Sequence, residues 1–184
     1  MPWNAADFHP LVCAILQAQA DNLIPLSASE FQPQELPPEL TSLNPTELFP
    51  RARDAKAALA GLLLFAGHWE LSHQVSQDIE SREGSYWHAI AHRIEPDSSN
   101  AAYWFRRVGE HPIFPLLRED SAALLNAAPF AWTLKKDWDI RLFIEWCDEA
   151  RTLPGSPKHR SAQQIQYAEC NRLFSWCALR TKDL

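Results

Sequence analysis

Residues 85–109 read SYWHAIAHRIEPDSSNAAYWFRRVG, and the punctuation of this stretch decides the fold class. Tyr86, Trp87, Ile90 and Ile94 recur at helical spacing and give one apolar side to a helix over about Ser85–Glu95. Pro96 stops it, because proline lacks the N–H that the next turn needs and pushes the preceding residue out of helical geometry. Asp97 or Ser98 then caps a new helix, about Ser99–Val108, by accepting from a free N–H of its first turn. Ala101, Trp104, Phe105 and Val108 form the apolar face of that helix, and Gly109 ends it. Strand-like alternation is nearly absent here and in the rest of the chain, which predicts an all-α fold.

Working outward, residues Arg51–Glu80 predict one long helix with Ala55, Leu59, Leu62, Ala66 and Trp69 as its buried stripe, broken at Ser81–Gly84. About Pro10–Gln19 reads as a first helix. Residues 32–50 hold Pro33, Pro37, Pro38, Pro45 and Pro50, too many for a long helix. They predict an extended connector lying over the domain, with a short turn near Thr46–Phe49. Downstream, helices are expected near 113–127, 137–151 and 160–180. The last carries Ile165, Cys170, Leu173, Phe174 and Cys177, a face suited to the core or to an oligomer contact. The expected architecture is an irregular bundle of about six to eight helices in a single domain, residues 1–184. No internal repeat or low-complexity tract interrupts it.

With 184 residues, 46% of them hydrophobic and 22% charged, the chain has the means to bury one core. A formal net charge of −6 with no Lys/Arg run argues against a nucleic-acid binder and against an anionic membrane surface. No segment reaches the length of apolar chain that a membrane span needs, and the first residues lack a basic leader. Cys13, Cys147, Cys170 and Cys177 form no C-x-x-C pair, and Cys170 and Cys177, two turns apart on a helix, are too distant for an unstrained disulfide. Four small apolar residues in a reducing compartment is the expectation, and with it a cytoplasmic location.

The polar residues are less evenly spread. Beyond Trp69, the stripe of the long helix continues through His73, Gln77 and Glu80, so it starts apolar and ends polar. The following helix carries His88, His92 and Glu95 at i, i+4 and i+7, on a stripe of its own. A short break between the two helices favours an antiparallel hairpin, with His73 near the level of His92 and Gln77 near the level of His88. His73, His88 and His92 are then candidate ligands for a divalent metal, since two imidazoles one turn apart plus a third from a neighbour is a recurrent arrangement. With Glu95 they are also the candidate acid/base groups. The spacer Ala89-Ile90-Ala91 carries no general base, so this is not H-E-x-x-H. A solvated polar face is the competing reading, because the stripe points away from the apolar side of its own helix. On the third helix Asn100, Tyr103, Arg106 and Arg107 suit a small polar or anionic ligand, and Gln77 joins them as a candidate contact. Arg106 and Arg107 have a plainer alternative, ion pairs with Glu95, Asp97 or Glu110. His68 lies off the stripe, His111 reads as an incidental loop residue, and of the eight tryptophans Trp69, Trp87, Trp104 and Trp146 lie on or beside apolar faces and read as core.

The string GSYWHAIAHRIEPDSSNAAYWFRRVGEHPIF, residues 84–114, resembles a family of uncharacterised microbial proteins with a W-H-A-x-x-H-R-x-E-P-D…N-A-x-Y-W-F-R-R-V-G-x-H-P run. WELSHQVSQDIE, residues 69–80, looks like the segment those proteins place before it. The resemblance covers about a quarter of the chain and implies no activity, only that the two segments travel together. Phosphate loops, dinucleotide fingerprints and the G-x-S-x-G elbow are absent from the sequence. Two expectations therefore stand side by side. One is an enzyme or small-molecule-binding domain with a polar pocket within residues 73–107. The other is a non-catalytic interaction or self-associating domain whose Arg-aromatic segment is the contact face.

Overall fold

The structure, a computed structural model, describes residues 7–18, 23–126, 128, 130 and 132–180. Among them lie ten α-helices and no strand: α1 (Pro10–Ala18), α2 (Pro38–Ser42), α3 (Pro45–Leu48), α4 (Ala55–Phe65), α5 (Trp69–Gln77), α6 (Arg82–Ile94), α7 (Ser98–Val108), α8 (Phe114–Asn126), α9 (Ile140–Arg151) and α10 (Pro157–Ala178). The all-α expectation holds, with eight of these helices nine residues or longer. No helix of the described residues is long and apolar enough to cross a membrane.

The middle of the bundle is α6. Every residue from Gly84 to Ile94 is buried, including His88, His92 and Arg93. It starts at Ser81, whose hydroxyl accepts from Gly84 N–H at 3.1 Å and donates to Asp54 at 2.6 Å. Asp54 in turn caps α4, so one hydroxyl joins the starts of two helices. α4 approaches α6 closely because Gly61 has no side chain: a Cβ there would lie 2.5 Å from the Trp87 ring. α5 and α7 both pack against α6, on either side of its His88–His92 stripe. α7 starts on the Asp97 carboxylate, which accepts from Asn100 N–H, and stops at Gly109 with φ 61°. α10 is the longest helix and buries Ile165, Cys170, Leu173, Phe174 and Cys177 against the rest, so in the described residues this face belongs to the core. The four cysteines are buried and free of disulfides.

Two expectations need correction. The long helix is two helices, α4 and α5, separated at Ala66–His68. Gly67 takes φ +83°, and a Cβ there would lie 2.5 Å from the Gln32 carbonyl oxygen, so the connector crosses where only glycine fits. His68 fixes the crossing, its Nε2 lying 2.6 Å from the Gln34 carbonyl, and Gln34 N–H donates to Ala66. The connector itself is not wholly extended. Pro38 and Pro45 each begin a short helix, the first-turn position where a missing N–H costs nothing. Leu40, Leu48 and Phe49 pin it to the core.

Candidate metal centre

Two helices, α5 and α6, deliver one imidazole cluster. Trp69, at the start of α5, donates its indole N–H to the Ala91 carbonyl of α6 at 3.0 Å. That bond sets the height of α5, and one turn further on His73 faces His88 and His92, with ring centroids 4.6 and 4.7 Å away. His88 and His92 are one turn apart on α6, centroids 4.6 Å apart. His73 thus sits midway between the other two, not at the level of His92 alone. The break at Gly67 resets the phase of α5 and so shifts this register.

Hydrogen bonding orients the rings. The Glu95 carboxylate lies 3.0 Å from His92 Nδ1 and can only accept, so Nδ1 carries a proton, and in the neutral ring Nε2 keeps its lone pair. Two groups meet that lone pair, His88 Nε2 at 3.0 Å and the Asn100 side-chain amide at 3.1 Å. One ligating nitrogen from each of His73, His88 and His92 lies within 4.8 Å of the other two. The 3.0 Å separation of His88 Nε2 and His92 Nε2 is a hydrogen-bond distance, which a shared tetrahedral ion with bonds of about 2.0–2.1 Å would open to about 3.3 Å. Nε2 of His73 and Nδ1 of His88 are buried without a hydrogen-bond partner of acceptable geometry. Unpaired polar atoms of this kind cost about 1–3 kcal/mol each.

Burial, then the neighbouring imidazoles His73 and His92, push the His88 pKa down to about 4. His73 is lowered too, by burial first and His92 second. Both rings are therefore neutral at pH 7, the form that binds metal. Indoles wall the cluster: Trp104 of α7 meets His88 edge to face at 4.4 Å, and Trp69 meets His73 at 5.5 Å. A solvated polar face does not describe these rings, since His88 is 3% and His92 7% exposed.

The other candidates divide. Glu95, 45% exposed at its side chain, and Asn100 belong to the cluster through His92. Gln77, the last residue of α5, is exposed, and His73 has Trp69, His88 and His92 as its ring neighbours instead. Glu80 is exposed as well. Tyr103, Arg106 and Arg107 are on the exposed side of α7, with Arg106 over the Tyr103 ring and Arg107 over Trp104. Among the described residues neither arginine makes an ion pair, contrary to the plainer alternative.

His111 is not incidental: it is buried between Tyr86, Phe114 and Trp176, with its Nε2 3.7 Å from Glu83. Sequence reasoning also missed a buried knot on the opposite side of α6. Arg93 pairs with Glu169 of α10 and donates to Gln166 at 3.2 Å, and Tyr86 donates to Glu169 at 2.9 Å. A signal was present, because Glu169 stands four residues from both Ile165 and Leu173, inside the apolar stripe of α10.

No protein-family model matches the chain, and no curated protein or solved structure is similar to it.

Proposed function

We propose that His73, His88 and His92 hold one divalent transition-metal ion and that the protein works on a small molecule through it. One observation carries this reading: three buried or half-buried imidazoles offer ligand atoms within 4.8 Å of one another, and His73 Nε2 and His88 Nδ1 are left without a hydrogen-bond partner. Uncharged imidazoles would repel little, but their desolvated nitrogens need a partner, and a cation supplies it. Neutral nitrogen ligands favour zinc and its first-row neighbours over magnesium or calcium. The Glu95 carboxylate behind His92 is the outer partner that commonly orients a ligating imidazole and raises its basicity.

Three uncharged ligands would leave a bound ion its full charge, with Asn100, 3.1 Å from His92 Nε2, beside them. A zinc ion held in this way lowers the pKa of a bound water to about 7. Metal-assisted hydrolysis is the reaction class that such a centre serves most directly.

Metal analysis of protein purified without chelators tests this, together with thermal unfolding in added zinc. The expected result is one ion per chain, a zinc-dependent rise in Tm, and loss of both in the His88→Ala/His92→Ala double variant while its circular dichroism stays helical. Protein that carries no metal and does not respond to zinc, cobalt, nickel or manganese contradicts the reading.

A further inference from the structure

We propose that a cavity between the start of the connector and the start of α5 binds a small organic cation, an ammonium group on an apolar body; this does not rest on the metal reading. Charge is unevenly distributed along the chain. Residues 1–50 hold six acidic residues, Asp7, Asp21, Glu30, Glu35, Glu39 and Glu47, and no Lys or Arg. The rest of the chain balances, with 17 acidic residues against 17 Lys and Arg, so the whole net charge of −6 belongs to the first fifty residues. Asp7 is paired with Arg51. Glu30, Glu35 and Glu39 are exposed on or beside the connector, and none of the three makes an ion pair among the described residues. A negative field over one region draws cations to it and turns anions away.

In that region lies a cavity of about 260 Å³. Phe31 and Pro33 reach it from the start of the connector, and Trp69, Glu70 and Leu71 from α5. No Lys or Arg lines it, and Glu70, which is exposed, makes no ion pair among the described residues. His68, also in the wall, spends its Nε2 on the Gln34 carbonyl at 2.6 Å. The Trp69 indole N–H is spent on the Ala91 carbonyl, so what Trp69 offers a ligand is its ring. Leu71, 40% exposed, leaves apolar surface uncovered at the same place. An aromatic ring with a carboxylate nearby attracts an ammonium in two ways, through the ring quadrupole and through a charge-assisted hydrogen bond. The apolar walls take the body of the ligand. A second cavity of about 250 Å³ shares Phe31 and Gly67 with the first and repeats its chemistry, with Leu64 and Phe65 as apolar wall and Glu30 as its one charged residue. At about 30 Å³ per water, the first cavity has the volume of about eight or nine waters. That suits a ligand of about as many non-hydrogen atoms, the size of phenethylamine.

The test is titration calorimetry of the full chain, treated with chelator so that no bound ion can take the amine. Phenethylamine is the probe, with 2-phenylethanol and 3-phenylpropionate as its neutral and anionic counterparts. The amine is expected to bind about tenfold more tightly than the alcohol, the anion not at all, and the amine's affinity to fall as salt is raised. Glu70→Gln is expected to weaken the amine about fivefold and to leave the alcohol unaltered. Leu71→Ala, which trims the apolar wall, is expected to weaken amine and alcohol alike. Alcohol or anion that binds as tightly as the amine overturns the proposal. So does an amine affinity that Glu70→Gln leaves unaltered, whether or not Glu30→Gln changes it. Absence of binding at about 10 mM amine overturns it as well, and none of these results bears on the metal reading.

Discussion

Two polar groups are buried on α6, on opposite sides, and they are built differently. On one side Arg93, Glu169, Gln166 and Tyr86 satisfy one another: the charges are paired and all but one Arg93 nitrogen, Nη1, has a partner. Arg93 lies against the Phe143 and Phe105 rings, and its carbonyl takes a bond from Arg151, so the knot fastens α6 to α7, α9 and α10. On the other side His73, His88 and His92 meet with nitrogens left over. A buried polar group that is complete within the chain serves the fold. The metal reading proposed above rests on the other kind, a buried group that the chain leaves incomplete.

The comparison can be broken most forcefully on the Arg93 side. Glu169→Leu leaves a buried guanidinium uncompensated and should cost about 3–5 kcal/mol in urea unfolding. The paired change Arg93→Met/Glu169→Leu should recover most of that loss, because no charge is then stranded. If the single variant were as stable as the parent, the knot would not be the fastening described here.

Next in size is the hinge that aims His73. Gly67→Ala forces φ +83° on a residue with a side chain and drives that Cβ into the Gln32 carbonyl. A cost of about 2–3 kcal/mol is expected, measured by thermal unfolding, with a weaker response to zinc because α5 is displaced.

The smallest effect separates the two sides by pH. The folded His88 pKa is near 4 and that of an unfolded histidine is 6.5, so between those values the unfolded chain holds more protons. The stability tied to neutral His88, and to His73 with the same direction of shift, is complete above pH 6.5 and is lost as pH falls toward 4. Glu83 behaves in a lower window. The neighbouring His111 imidazole, 3.7 Å away, opposed by burial and aided by the hydrogen bond that the Trp176 indole donates, holds the Glu83 pKa near 2 against an ordinary 4.5. Its contribution is present above 4.5 and lost as pH falls toward 2. The unfolding free energy of metal-free protein, from urea titrations, should therefore fall in two stages, the first on the order of 1–2 kcal/mol and smaller in His88→Ala. A flat profile from pH 7 to 4.5 would contradict the burial of neutral imidazoles.

Much of the site was legible because its determinants are local. His88, His92 and Glu95 share a stripe by helical arithmetic alone, and Pro96, Asp97 and Gly109 mark the ends of α6 and α7 without tertiary help. What was hidden depends on partners far along the chain. Gly67 reads as an ordinary helix residue until the connector is seen crossing it, and its break is why Gln77 points to solvent while His73 moves between two rings. Glu169 reads as one charged residue among many until Arg93 and Tyr86 arrive from α6. His111 looks like loop until Tyr86, Phe114 and Trp176 enclose it. The net effect is that sequence placed the imidazoles on neighbouring helices, while three-dimensional packing determined that His73 Nε2 and His88 Nδ1 are buried without a partner.

The most direct measurement is a titration with cobalt(II), whose visible absorption reports nitrogen ligation. One equivalent should produce intense bands that zinc then displaces, and a His73→Gln/His88→Gln/His92→Gln variant that keeps its helical circular dichroism should produce none. Absence of those bands in the parent protein, or an unchanged spectrum in the triple variant, would show that the three imidazoles do not form a metal centre.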